Sequence, residues 1–209
     1  MEILYKLILA GHIISGMTAL VAGIVAIISS KGKNVHRKSG KTFYYSMLIV
    51  CASAIFISVV KNNTFLLHIG IFSFFLVFTG YRSIKNKGLK PNILDWVILC
   101  ISVINCGIMI FSLNIVLMVF GGIGAWLSIA DFRLFVLAIH EKSIPKNQWL
   151  IRHIGMMLGG YISTSTAFIV VNVTMTDFPF IPWLLPSAVG TPLIIYWSRK
   201  YSLKKKPIS

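Results

Sequence analysis

The residues of this chain with chemistry to offer stand where chemistry is expensive, inside or beside long apolar runs. Asp131 and Arg133 lie in "IADFRLF", Asp95 in "NILDWV", Arg82 in "FTGYRS", Arg152 and His153 in "WLIRHIGMM", and His36 and Arg37 in "NVHRKSG". A charge at the centre of an apolar span costs about 2.5 to 3.5 kcal/mol on insertion scales, so each such group needs a partner or a task. Four arginines, Arg37, Arg82, Arg133 and Arg152, face two aspartates, Asp95 and Asp131. Gathered together they keep a cationic surplus, which suits a small anionic ligand or a proton exchanging at a histidine. The expected ligand or proton site is Asp131, His153, Arg133, Arg82, Arg152 and His36. Helical phase divides this set, because Asp131 and Arg133 are about 200° apart around a helix axis. Ser128 and Gly124 share the face of Asp131, which predicts that Asp131 points inward, whereas Arg133 shares its face with His140. The competing structural reading is that arginines near a span end snorkel to the interface and that an Asp–Arg pair locks helices together.

His12 and His68 raise a second chemistry. Two imidazoles from neighbouring helices at similar depth can hold a haem b iron, and Gly16, one turn from His12, leaves room for a macrocycle. By the helical rise, His12 sits about 12 Å and His68 about 6 Å inside the same boundary. The plainer role for each is a hydrogen-bonding core residue. Cys51, Cys100 and Cys106 fall inside apolar runs without C-x-x-C spacing, which argues against a disulfide framework or a zinc site.

The elements that must position these groups are transmembrane helices. Of the 209 residues 56% are hydrophobic and 12% charged, too little polarity to coat a soluble domain. With about 20 apolar residues per crossing, the runs are 4 to 30, 43 to 60, 64 to 81, 93 to 113, 115 to 139, 149 to 173 and 181 to 198. This is an all-α integral membrane bundle of seven transmembrane helices, forming one domain over residues 1–209, with no repeat and no linker. The connections KGKNVHRKSGK, RSIKNKGLK and HEKSIPK and the tail RKYSLKKK are basic, whereas KNNT, SLN and TMTDFPF carry one Lys between them. The positive-inside rule then puts the N-terminus outside and the C-terminus in the cytoplasm. Trp96, Trp149, Trp183 and Trp197 mark span ends. The first run has no cleavage site behind a short apolar core and reads as a retained span. The net charge of +15 is accounted for by these loops, so no nucleic acid is implied. The lipid bilayer is the expected partner, with anionic headgroups able to meet the basic loops.

Helices in lipid associate through small residues. His12, Gly16, Ala19 and Gly23 line one face of the first span, and Gly121, Gly122 and Gly124 lighten the fifth. His153, Met157, Gly160 and Thr164 follow i, i+4, i+7, i+11, a polar-to-small stripe that must face protein. Pro182, Pro186 and Pro192 predict a bent seventh span packed against neighbours that satisfy its freed carbonyls.

Several chemistries are excluded by the motifs. No Lys lies within the seventh run for a retinal Schiff base, and there is no Walker loop, H-E-x-x-H or G-x-S-x-G. The reading favours a binding or transport-type protein over an enzyme, with a b-type cytochrome or an accessory subunit docking a membrane-protein partner as alternatives.

The motifs H-x3-G (His12, Gly16), "KGKNVHRKSG", "FTGYR", "ADFR" and "RHIGMMLGGYISTSTAFIVVN" together resemble a family of uncharacterised bacterial predicted membrane proteins, a domain of unknown function, along nearly the whole chain. The resemblance implies a multi-pass fold in a bacterial plasma (inner) membrane and brings no established activity or cofactor. It singles out His12, His36, Arg82, Asp131 and His153, and leaves out His68.

Overall fold

A computed structural model describes residues 2–173 and 177–202. These residues form seven α-helices and no strand: α1 (Glu2–Ile28), α2 (Asn34–Val60), α3 (Thr64–Lys85), α4 (Ile93–Ile110), α5 (Ile115–Ile139), α6 (Gln148–Asn172) and α7 (Ile181–Ser202). Lys204, Lys205 and Lys206 of the basic tail lie outside the described residues.

Three of the helices, α3, α4 and α5, begin where a short polar side chain satisfies free N–H groups of the first turn. The Asn63 side chain accepts from Leu66 N at 3.0 Å, and that of Asn114 accepts from Val116 N and Leu117 N. Asn92 and Asp95 form a reciprocal capping box at α4, with bonds of 2.9 and 3.0 Å. The largest departure from the hydropathy reading is at α2, which starts at Asn34 rather than at 43. Its basic first turns are too polar for a hydropathy window, yet Lys and Arg are good helix formers. His36 therefore stands on a helix instead of in a loop.

Six helices, α1 to α6, are long and apolar enough to cross a membrane. The seventh is diluted by Pro186, Pro192, Ser187 and Thr191. It nevertheless runs as one helix back along α6, its Gly190 lying against Ile162, and returns Tyr201 to within 2.7 Å of Asn147 at the foot of α6. Large apolar side chains such as Ile14, Val21, Ile104, Trp126 and Val189 are exposed on the outer faces, as lipid requires.

The helix order leaves α3 at the centre, packed against α2, α4, α5 and α6, while α1 lies on α2 and α6, and α5 on α4. Two cores result. One gathers Phe72, Phe75, Leu76, Leu99, Met109, Phe120 and Met156. The other gathers Ala19, Phe43, Tyr44, Met47, Cys51 and Val77. Close approach depends on small residues: a Cβ on Gly80 would stand 3.0 Å from the backbone N of Met157, and one on Gly121 would stand 3.1 Å from Cys106 O. The α1 seam runs through Ala19, Ala22 and Gly23, whereas Gly16 has open space beside it.

Among the described residues, the basic connections meet at one end of the bundle. Lys90 Nζ donates to Glu141 Oε1 at 3.0 Å, Lys87 lies over the Trp149 ring, and Lys31 lies over that of Trp197. The Lys90 partnership holds the exposed Glu141 carboxyl below its usual range. This shared basic end is the frame in which the buried charges sit.

Candidate functional site

The deepest charge, Asp131, follows from its helical face. Gly124, Ser128 and Asp131 are all buried on α5, and Asp131 is only 2% exposed. Arg152 from α6 closes on it as a fork: Nε donates to Oδ1 at 2.6 Å and Nη2 to Oδ2 at 2.7 Å. The third arm, Nη1, donates to Ser83 Oγ of α3 at 3.1 Å, and that hydroxyl donates in turn to Thr79 O at 2.8 Å. The guanidinium also covers the Phe135 ring, 5.3 Å from its centroid. One arginine thus joins α3, α5 and α6.

A second pair lies nearer the basic end. Arg82, in the last turn of α3, donates from Nε and Nη2 to the two carboxylate oxygens of Asp95, both at 2.9 Å. Asp95 is 5% exposed and its Oδ2 also accepts from Asn92 N, so the residue that caps α4 anchors α3 as well. Both carboxylates are matched by a bidentate arginine, the geometry that recognises a carboxylate best.

This changes the reading of the cationic surplus. Arg133 is exposed, about half a turn around the helix from the buried face, and Arg37 is exposed at the start of α2. The structure brings Arg82 and Arg152 into the cluster only as partners of carboxylates. The unpaired charge is on the rim, and an anion at Arg152 would have to displace Asp131.

The histidines are less committed. His153 Nδ1 lies 2.9 Å from Gly80 O, and His36 Nδ1 lies 2.9 Å from Ala26 O. A carbonyl only accepts, so each Nδ1 carries a proton, and in the neutral imidazole that leaves the lone pair on Nε2. The rest of the α6 stripe faces protein as its spacing requires: Met157 packs on Gly80, Gly160 on Val77, and Thr164 Oγ1 donates to Met47 Sδ at 3.0 Å.

His12 and His68 turn to different neighbours. His12 Nδ1 is 2.9 Å from Ser53 Oγ of α2, and His68 Nδ1 is 2.7 Å from Asn105 Oδ1 of α4, whose Nδ2 donates back to His68 O. The helices that carry them, α1 and α3, do not form one of the packed interfaces. Each ring is thus engaged by a different helix, His12 by α2 and His68 by α4. Among the described residues no three His, Cys, Asp or Glu side chains are grouped so as to hold a metal ion.

Sequence reasoning missed Ser83, Thr79, Asn105 and the capping role of Asp95. The N-x2-D spacing of Asn92 and Asp95 carried the last of these. Nothing local marked Ser83, which is defined by a helix packed beside it.

A bundle of apolar helices with paired charges buried at one end is a multi-pass membrane protein. Its lipid-facing surface and polar interior both follow from that setting. The chain belongs to the family of predicted membrane proteins designated DUF2306, whose profile matches residues 9–120. The match takes in His12, His36, His68, Arg82 and Asp95 and stops before Asp131, Arg152 and His153. No curated protein and no solved structure matches the chain.

Proposed function

We propose a binding or transport-type membrane protein whose site lies at the basic end, where His153 and His36 offer Nε2 to a small electron-pair acceptor, at minimum a proton. The Asp131–Arg152 and Arg82–Asp95 pairs brace the helices around it. On the positive-inside rule this end faces the cytoplasm. The observation that carries this reading is the contrast in commitment: both buried carboxylates are paired with arginines, while the two imidazoles use only Nδ1. Arg133 belongs to the basic rim that an anionic headgroup would meet.

Diethyl pyrocarbonate reacts with a free, unprotonated imidazole nitrogen and tests the site directly. Applied to sealed vesicles from the basic-loop side, it should modify His153 in folded protein. Modification only after unfolding, or only from the opposite face, would reject the proposal. Neutralising Asp131 is a poor test, because Asp131→Asn strands the buried Arg152 charge.

A further inference from the structure

Four helices enclose the two uncommitted imidazoles. α1 packs against both α2 and α6, and α3 packs against both as well, so α2 and α6 face each other across the diagonal of a four-helix group. Side chains set the register across that diagonal. Thr164 Oγ1 donates to Met47 Sδ, residues 117 positions apart. Phe43 and Gly160 share the same separation, with Phe43 Cζ 3.9 Å from where a Gly160 Cβ would stand, and the rings of Phe43 and Tyr161 are 6.1 Å apart.

His36 and His153 are separated by that same interval. Each lies seven residues before its partner in the Phe43–Gly160 contact, about 10.5 Å further toward the basic end and within about 20° of the same helix face. Both helices leave the basic end in the same direction, so the register that pairs Met47 with Thr164 also pairs His36 with His153.

Their surroundings fit a ligand. Gly40, one turn from His36, has nothing within 4 Å of where its Cβ would be. Neither Nε2 has a protein hydrogen-bond partner among the described residues. The one sealed side-chain polar atom without a partner there is Thr166 Oγ1, so the Nε2 of His153 is not sealed off. Each Nδ1–H is pinned to a backbone carbonyl of a third helix, α1 or α3. This is the outer-shell arrangement that fixes the tautomer and ring plane of a metal-ligating histidine.

We propose that His36 and His153 form a bis-imidazole site for a late first-row transition metal, taken up as the free ion or as porphyrin-held iron. The proposal rests on the function proposed above and names its ligand. Two neutral Nε2 lone pairs enter the metal's coordination sphere, a donor type that suits Zn, Cu, Ni and Fe. Water or the porphyrin nitrogens supply the remaining positions.

The test uses the full chain purified in mild detergent and titrated separately with Co2+ and with haemin. Visible absorption reads both probes, and a reduced-minus-oxidised spectrum identifies bound haem. Wild type should bind one of them, and the response distinguishes the two sources. His36→Gln and His153→Gln should each weaken that binding by more than about 100-fold, beyond the 10–100-fold cost of losing an outer-shell contact. His12→Gln and His68→Gln should leave it unchanged. Gln keeps an amide donor for the carbonyl, and a thermal unfolding curve confirms that each variant is folded. Wild type that binds neither probe overturns the metal proposal, as does binding that survives both His36→Gln and His153→Gln. The function proposed above would still stand if His153 reacts with diethyl pyrocarbonate as expected, and it falls separately if that reaction fails.

Discussion

Asp131→Asn should be among the most damaging single changes in this protein, and the reason is geometric. The Arg152 side chain is 6% exposed and directs two of its three arms at the carboxylate, at 2.6 and 2.7 Å. An amide keeps one acceptor oxygen but no charge, so a guanidinium is left buried with only Ser83 and a neutral carbonyl. Breaking a buried pair from one side costs about 3–5 kcal/mol. Arg152→Met should cost less, because the stranded Asp131 can take up a proton and become neutral. Removing both charges as Asp131→Leu with Arg152→Met should recover most of the loss, since apolar replacement of a whole buried pair ranges from neutral to about 1–4 kcal/mol stabilising. Reversible denaturation in mixed micelles, followed by near-ultraviolet dichroism, gives the three values and hence the coupling. Additive single effects, or an Asp131→Asn cost below about 1 kcal/mol, would mean that the pair is hydrated and that the buried-lock description is wrong.

Three further outcomes follow from the same coordinates. Gly80→Ala places a Cβ 3.0 Å from Met157 N and should lose about 1–3 kcal/mol through overpacking at the α3–α6 crossing; Gly122→Ala, exposed with nothing within 4 Å, should be neutral or gain about 0.5–1 kcal/mol in the same denaturation assay. The Glu141 carboxyl is held below its usual range by Lys90, so the Lys90–Glu141 tie should persist below the unfolded carboxylate value near about 4.3 and be lost only as pH falls through the depressed one. Glu141→Gln should therefore reproduce the low-pH state at neutral pH, read as faster lysine-directed proteolysis in the loop 86–92. Single-cysteine labelling with an impermeant maleimide should show positions 33, 87 and 142 on one side of the membrane and 62 and 112 on the other; labelling that splits the first three would break the shared basic end.

The bundle was legible in the sequence because lipid imposes one strong rule, about 20 apolar residues per crossing with every backbone group bonded within its helix. The inward face of Asp131 was legible for a similar reason: Gly124, Ser128 and Asp131 share a helical phase, and phase needs no knowledge of neighbours. The outward position of Arg133 came from the same count. Pairing was not legible. Asp131 and Asp95 each had several arginines at suitable depth, and the choice between them is set by helix adjacency, with Arg152 reaching Asp131 across the end of α3 at Ser83. The partners of His12 and His68 were not legible either, since depth on a helix does not say which neighbour a ring meets, Ser53 for His12 and Asn105 for His68. The correspondence of His36 with His153 depends on the axial offset between two non-consecutive helices, which the Met47–Thr164 contact reveals and no local pattern encodes.

The whole functional account depends on His36 and His153 facing one another. Cysteines placed at both positions, in a chain whose Cys51, Cys100 and Cys106 are replaced by serine or alanine, measure this directly. Mild oxidation in the membrane should join them within one molecule, so that two fragments cut in the loop 86–92 migrate together until a reductant is added. Fragments that separate without reductant, while a Met47→Cys with Thr164→Cys pair in the same background does cross-link, would place the two histidines apart and contradict the account.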